Sequence, residues 1–152
     1  MTAQIEPRIT RRQDAESIRP FGVEMKIMMA AAQTGGTCSV LIGELRPGEG
    51  PPPHLHREFD EYFFVLEGVV SLTVDGKEST ISPGNLAFTP RGAVHSFRNV
   101  GPSTASILEW TVPGGNEPYF RAVSAMGADI NPDGLAEINA QFATEFIATP
   151  HG

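Results

Sequence analysis

The chain has a single cysteine, Cys38, among 152 residues. One thiol cannot close an internal disulfide, and a fold without that staple is expected in a reducing cytoplasm. Apolar runs long enough to cross a bilayer are also missing, so no membrane partner is expected. The first residues, MTAQIEPRITRRQDAESIRP, place no apolar stretch behind their charges. Arg11-Arg12 is therefore not expected to act as an export signal. Positive charge is scarce: 11 Lys and Arg stand against 18 Asp and Glu, a net charge of −7. That balance argues against nucleic acid or an anionic membrane surface as a partner. What the chain does have is 16 glycines and 13 prolines, a composition of short strands and tight turns. Its length suits one domain with a self-sufficient core.

Histidine is sparse too, yet three of the four fall in two short segments rich in glycine and proline. GEGPPPHLHREFDEYFFVLEG, residues 48–68, carries His54, His56 and Glu61. GNLAFTPRGAVHSFRN, residues 84–99, carries His95. Side chains alternate along a strand, so imidazoles two apart point to one face. Glu61 on the following strand and His95 from another hairpin would complete a set of three imidazoles and one carboxylate around one ion. Such a set suits a borderline divalent transition metal and leaves positions open for water, oxygen or substrate. Pro47 to Pro53 form a stiff, extended lead-in whose prolines limit how far His54 and His56 can wander. The fourth histidine, His151, lies in a polar tail and is expected to be solvated.

These two segments resemble the paired motifs of the cupin family. Gly48, His54, His56, Glu61 and Gly68 match the first motif at every spacing. Gly84, Pro90, Gly92, His95 and Asn99 match the second. The resemblance implies an all-β fold, the double-stranded β-helix or jelly-roll barrel, here as a monocupin with a short helical C-terminal appendage. It also implies one divalent metal ion, Fe, Mn, Ni, Cu, Co or Zn, at His54, His56, Glu61 and His95. Dimers built through outward sheet faces follow from it as well, so a homodimer is expected. Cupins include oxygenases, isomerases, epimerases, decarboxylases, polyketide cyclases, sugar-binding and regulatory domains, so the fold names no reaction.

Residues 1–20 are polar and read as an arm or a first edge strand, 21–115 as the barrel, and 116–152 as a helical segment. Residues 22–32 and 36–46 read as strands joined at Thr34-Gly35-Gly36. Met25, Met28, Met29 and Cys38 are expected to fill the core. Along 61–67, parity from Glu61 puts Phe63 and Val65 on the metal side. Tyr62, Phe64 and Leu66 then point outward, where a second sheet or another subunit must cover them. Asp75-Gly76 signals a hairpin between strands at 69–74 and 77–81. Strands at 86–89 and 94–100 follow. Parity from His95 puts Phe97 and Asn99 on its face, with backbone bonding as the alternative for Asn99. In the strand 104–112, Glu109 and Trp110 point to opposite faces, so at most one lines the interior. Asn116 reads as the N-cap of a helix ending at Gly127, and Asn131-Pro132 as the start of a second. Leu135, Ile138, Phe142 and Phe146 form a stripe at helical spacing, fit to cover a barrel mouth or subunit seam, or to shape a lid.

Phe63, Val65, Leu86, Phe88 and Phe97 are the expected pocket lining. A pocket that apolar, with few fixed cations, disfavours phosphorylated sugars and favours a flat phenolic or enol-bearing small molecule. Glu61 is the expected catalytic residue, either as fourth ligand or as a base towards a hydroxyl group. The leading expectation is a metal-dependent dioxygenase resembling the quercetinase-like cupins and acting on a flavonol-like substrate. The alternative is a redox-silent cyclase or isomerase resembling the polyketide cyclase cupins, with the ion as Lewis acid. A ligand-binding sensor without turnover is the third reading.

Overall fold

A computed structural model describes residues 4–147, so His151 lies outside the described residues. In chain order the first strands are β1 (Glu16–Ile18), β2 (Glu24–Met29), β3 (Ser39–Leu45), β4 (His54–His56), β5 (Asp60–Glu67) and β6 (Val70–Val74). They continue as β7 (Lys77–Ile81), β8 (Leu86–Thr89), β9 (His95–Asn99), β10 (Ala105–Val112) and β11 (Thr144–Phe146). Helices α1 (Glu117–Ala125) and α2 (Pro132–Gln141) separate β10 from β11. Two sheets result, one ordered β1-β2-β3-β10-β5-β8 and the other β11-β4-β9-β6-β7. Every pairing is antiparallel, which gives the expected jelly roll with C-terminal helices. The expected arm and the expected appendage each add a strand, β1 at one edge and β11 at another.

Alternation along the strands decides what fills the space between the sheets. Phe63 and Val65 of β5, Ile107 of β10 and Leu72 of β6 are all buried and belong to one core cluster. Each such side chain contributes about 1.5–3 kcal/mol on burial. The opposite face of the six-stranded sheet is aromatic: Tyr62 stacks on Trp110 with centroids 5.1 Å apart and planes 2° apart. Met25 joins a second buried cluster, as expected, whereas Met28, Met29 and Cys38 are only half-buried.

Local chemistry explains the turns that matter. Asp75 and Gly76 both take positive φ, 47° and 81°, as a two-residue hairpin of the mirror-image type requires. Gly50 lies so close to β9 that a Cβ there would sit 1.8 Å from the Phe97 carbonyl oxygen. The lead-in is also bonded to β9, since the Gly48 N–H donates to Asn99 O and the Asn99 N–H to Glu49 O, each at 2.9 Å. The Asn99 amide bonds backbone and not the site, donating to Leu45 O and Ser103 O at 2.8 and 2.7 Å.

The helices depart from expectation in two places. Asn131 caps α2 as expected, accepting from the Asp133 N–H at 2.9 Å. Asn116 precedes α1 but makes no capping bond. Its amide is directed at Glu109 instead. Phe146 does not continue the α2 stripe: the helix ends at Gln141, Ala143 takes φ 50°, and Phe146 enters β11.

Candidate metal centre

The lead-in and β9 bring His54 directly opposite His95 in register, with ring centroids 4.2 Å apart. His56 follows two residues along β4 on the same inner side. Glu61 enters from β5 in the other sheet, so the four groups meet between the sheets. One ligand atom from each of His54, His56, Glu61 and His95 lies within 4.8 Å of the others, and all four residues are buried. Glu61 Oε2 stands 2.9 Å from His95 Nε2 and 3.6 Å from His56 Nε2.

What lies behind each imidazole orients it. The Nδ1 of His54 donates to Pro52 O at 2.8 Å, and that of His95 to Ala93 O at 3.0 Å. A carbonyl only accepts, so the neutral ring must carry its proton on Nδ1 and turn the Nε2 lone pair inward. His56 Nδ1 meets Thr144 Oγ1 of β11 at 3.1 Å. Outer partners of this kind fix the tautomer and ring orientation of metal-binding histidines. Thr89 and Thr111 lie directly across from Glu61 on its two neighbouring strands. Their buried hydroxyls have no hydrogen-bond partner among the described residues. The donor set, its burial and its oriented lone pairs fit one divalent transition metal ion.

Burial sets the protonation states. It pushes His54 down to about 4, helped by the nearby His95, and it pushes His56 lower still. His95 is lowered too, again chiefly by burial. Neutral imidazoles are the form that coordinates. Burial raises the Glu61 carboxyl to about 7. It raises Glu109 well above the carboxylate range, with the Glu61 charge adding to the effect. The two carboxyls are within hydrogen-bond reach of each other. Asn116 Nδ2 donates to Glu109 Oε1 at 2.9 Å from the other side.

A cavity of about 540 Å³ opens from this cluster. Val23, Met25, Leu45, Phe97, Ile107 and Phe146 contribute apolar wall, and no lysine or arginine lines it. Phe97 is therefore placed as expected. Phe63 and Val65 face inward but are packed into the core, away from the cavity. Leu86 and Phe88 correct the expected lining: they are 58% and 50% exposed. The β5–β8 register is the reason, since Leu86 pairs with Phe64 and Phe88 with Tyr62, and paired residues share a face. Ala87 and Thr89 take the inner side. Glu109, Thr144 and the α1 residues Tyr119 and Phe120 are lining residues that parity and motif spacing did not single out. An acid inside the apolar run TASILEWTV was the one available signal for Glu109.

The molecule is a small antiparallel β-sandwich whose buried cluster of three histidines and one glutamate lines an apolar cavity and could hold a metal ion. Residues 41–111 match the cupin domain family. Over that stretch the chain carries a cupin domain. It is 32% identical over 98 residues to quercetin 2,3-dioxygenase of Bacillus subtilis (strain 168), covering 64% of this chain but only 29% of that enzyme. It is 24% identical over 131 residues to polyketide synthase CurC of Streptomyces cyaneus, covering 86% of this chain and 85% of that one. Among solved structures, KdgF from Halomonas sp. superposes with a TM-score of 0.64 at 17% identity, over 73% of this chain and 99% of that one. The polyketide cyclase RemF from Streptomyces resistomycificus gives 0.60 at 24% identity, over 70% and 80%. Among the described residues, no helix is long and apolar enough to cross a membrane.

Proposed function

We propose that this chain is a metal-dependent dioxygenase acting on a small enolic or phenolic, flavonol-like substrate. The observation that carries the reading is the buried cluster of His54, His56, Glu61 and His95 opening into an apolar cavity without fixed cations. The likeness to a quercetin dioxygenase supports it at the level of the matched 98 residues. A divalent transition metal bound there supplies a Lewis acid for an enol or phenol oxygen, and redox chemistry where the ion permits it. His54, His56 and His95, held neutral by burial, would hold that ion through their Nε2 lone pairs. Glu61 would hold the ion as fourth ligand or, turned off it, take the substrate hydroxyl proton on its carboxylate. Met25, Phe97, Ile107 and Phe146 flank a flat ring and exclude water from it.

A redox-silent cyclase or isomerase is the second reading. The near full-length match to a polyketide synthase protein favours it, and so does the pair of facing carboxyls, a ready acid and base. The two readings separate in an oxygen electrode. The protein is reconstituted separately with iron, manganese, nickel, copper, cobalt and zinc, then given flavonols and polyphenolic enols. The dioxygenase reading expects oxygen uptake that requires His54 and falls on Glu61→Gln by about 10²–10⁴-fold. Substrate loss at an unchanged rate under strict anaerobiosis would overturn it in favour of the cyclase or isomerase.

A further inference from the structure

We infer that Glu109, buttressed by Asn116, is a second polar anchor of the cavity, hydrogen-bonded to a ligand hydroxyl next to the oxygen held at the metal cluster. The ligand class that follows is a vicinal dioxygen unit on a flat apolar frame: a catechol, an enediol or a hydroxyketone. The inference rests on the enolic-ligand reading above and goes beyond it by naming the residue that reads the second oxygen.

Glu109 is an expensive residue to place where it is. It is 5% exposed on the central strand β10, between the apolar positions Ile107 and Leu108 on one side and Trp110 on the other. No lysine or arginine pairs with it among the described residues, so its burial is not offset by an ion pair. It is not one of the four clustered ligand residues either. Asn116 supports it from behind with a 2.9 Å bond to Oε1, and gives up its own helix-capping bond to do so. A purely structural position on this strand would be met by another aliphatic side chain.

The other polar lining groups outside the cluster are engaged with protein partners, whereas Asn116 occupies only Oε1 of Glu109. The Tyr119 hydroxyl donates to Asn139, Thr144 is engaged with His56, and Glu49 is paired with Arg46. The walls facing the ligand are otherwise apolar. Glu109 sits opposite Phe63 in register and Glu61 opposite Thr111, so the two carboxyls are diagonal neighbours on one face. They are within hydrogen-bond reach of each other. A hydroxyl bound by Glu109 is therefore adjacent to whatever atom is bound beside Glu61, and adjacent oxygens on one ring match that spacing.

The test uses zinc-loaded full-length protein, in which no redox turnover competes with binding, and titration calorimetry with 2,3-dihydroxynaphthalene and 2-naphthol. The readout is the ratio of the two affinities, which cancels the shared ring and the shared metal-bound oxygen. Glu109→Leu should lower the diol preference by about tenfold or more while leaving 2-naphthol within about twofold of wild type. Glu109→Gln keeps the shape and an oxygen for the Asn116 bond but puts an amide NH2, a donor only, at the second position, so its ratio should fall between the two. It carries the test alone if the leucine variant does not fold. An unchanged ratio in both variants overturns the inference, and so does loss of zinc from either, which would make Glu109 a ligand. Failure of the wild type to bind either probe overturns the enolic-ligand reading and this inference together.

Discussion

The five-stranded sheet brings its imidazoles to the centre on strands of three and five residues, β4 and β9. The six-stranded sheet brings its carboxyls on strands of eight, β5 and β10. The short strands position their side chains by local means. His54 and His95 each bond a carbonyl two residues back, so the turn that delivers the ring also sets its tautomer. Only His56 depends on a distant partner, Thr144 of β11. The carboxyl side has no such local hold. Glu61 and Glu109 face each other, with Thr89 and Thr111 flanking Glu61 through uncommitted hydroxyls. One wall orients its rings from behind, and the other sets two buried carboxyls side by side.

The largest expected effect falls on the histidine wall. Four ligands share roughly 10–16 kcal/mol in structural zinc sites, so His56→Ala and His95→Ala should each cost zinc affinity about a hundredfold or more. Competition with a chromophoric chelator measures it, with circular dichroism to confirm the fold. Glu61→Gln keeps an oxygen donor and should cost less. The contrast between the walls breaks down if Glu61→Gln proves more damaging to zinc binding than His95→Ala.

Thr144→Val is the next step down. It removes the side-chain partner of His56 Nδ1, and losing such an outer partner typically costs about 10–100-fold in metal affinity. An unchanged affinity in the same chelator assay would mean that His56 is oriented by packing alone, for example by its stack on Phe59 at 4.6 Å.

The smallest effect is the pH dependence of the metal-free protein, prepared with chelator. His54 drops from 6.5 to about 4 on folding. That contribution is fully present above 6.5 and is lost as pH falls towards 4. Glu61 has the opposite sign, rising from 4.5 to about 7. Its contribution is present below 4.5 and is lost as pH rises through 7. His56 and His95 share the sign of His54 and Glu109 that of Glu61, so with three histidines against two carboxyls thermal unfolding should show greatest stability near 6.5. Zinc should flatten the fall on the neutral side by compensating the buried Glu61 charge. A metal-free stability that climbs steadily from pH 5 to 8 would contradict both assignments.

The cluster was legible in the sequence because its determinants are short-range. Imidazole spacing on β4, the prolines of the lead-in and the turn before His95 all act within a few residues. The Asp75-Gly76 hairpin and the Asn131 cap were legible for the same reason. The cavity wall was not, because it is assembled from residues far apart, Met25, Ile107, Tyr119 and Phe146 among them. Leu86 and Phe88 went astray because the face of β8 is set by its register against β5, and register between strands leaves no mark in the β8 sequence itself. Phe146 kept helical spacing past the end of α2, where the left-handed Ala143 redirects the chain. Asn116 stood where a cap belongs, and its bond to a buried acid overrode that local preference.

X-ray absorption at the zinc edge, on protein loaded with one equivalent, tests most directly that the two walls meet around a single ion. The account predicts three imidazole nitrogens at about 2.0–2.1 Å with carboxylate oxygen in the same shell. A sulfur scatterer near 2.3 Å, pointing to Cys38, or an all-oxygen shell without imidazole scattering would contradict it.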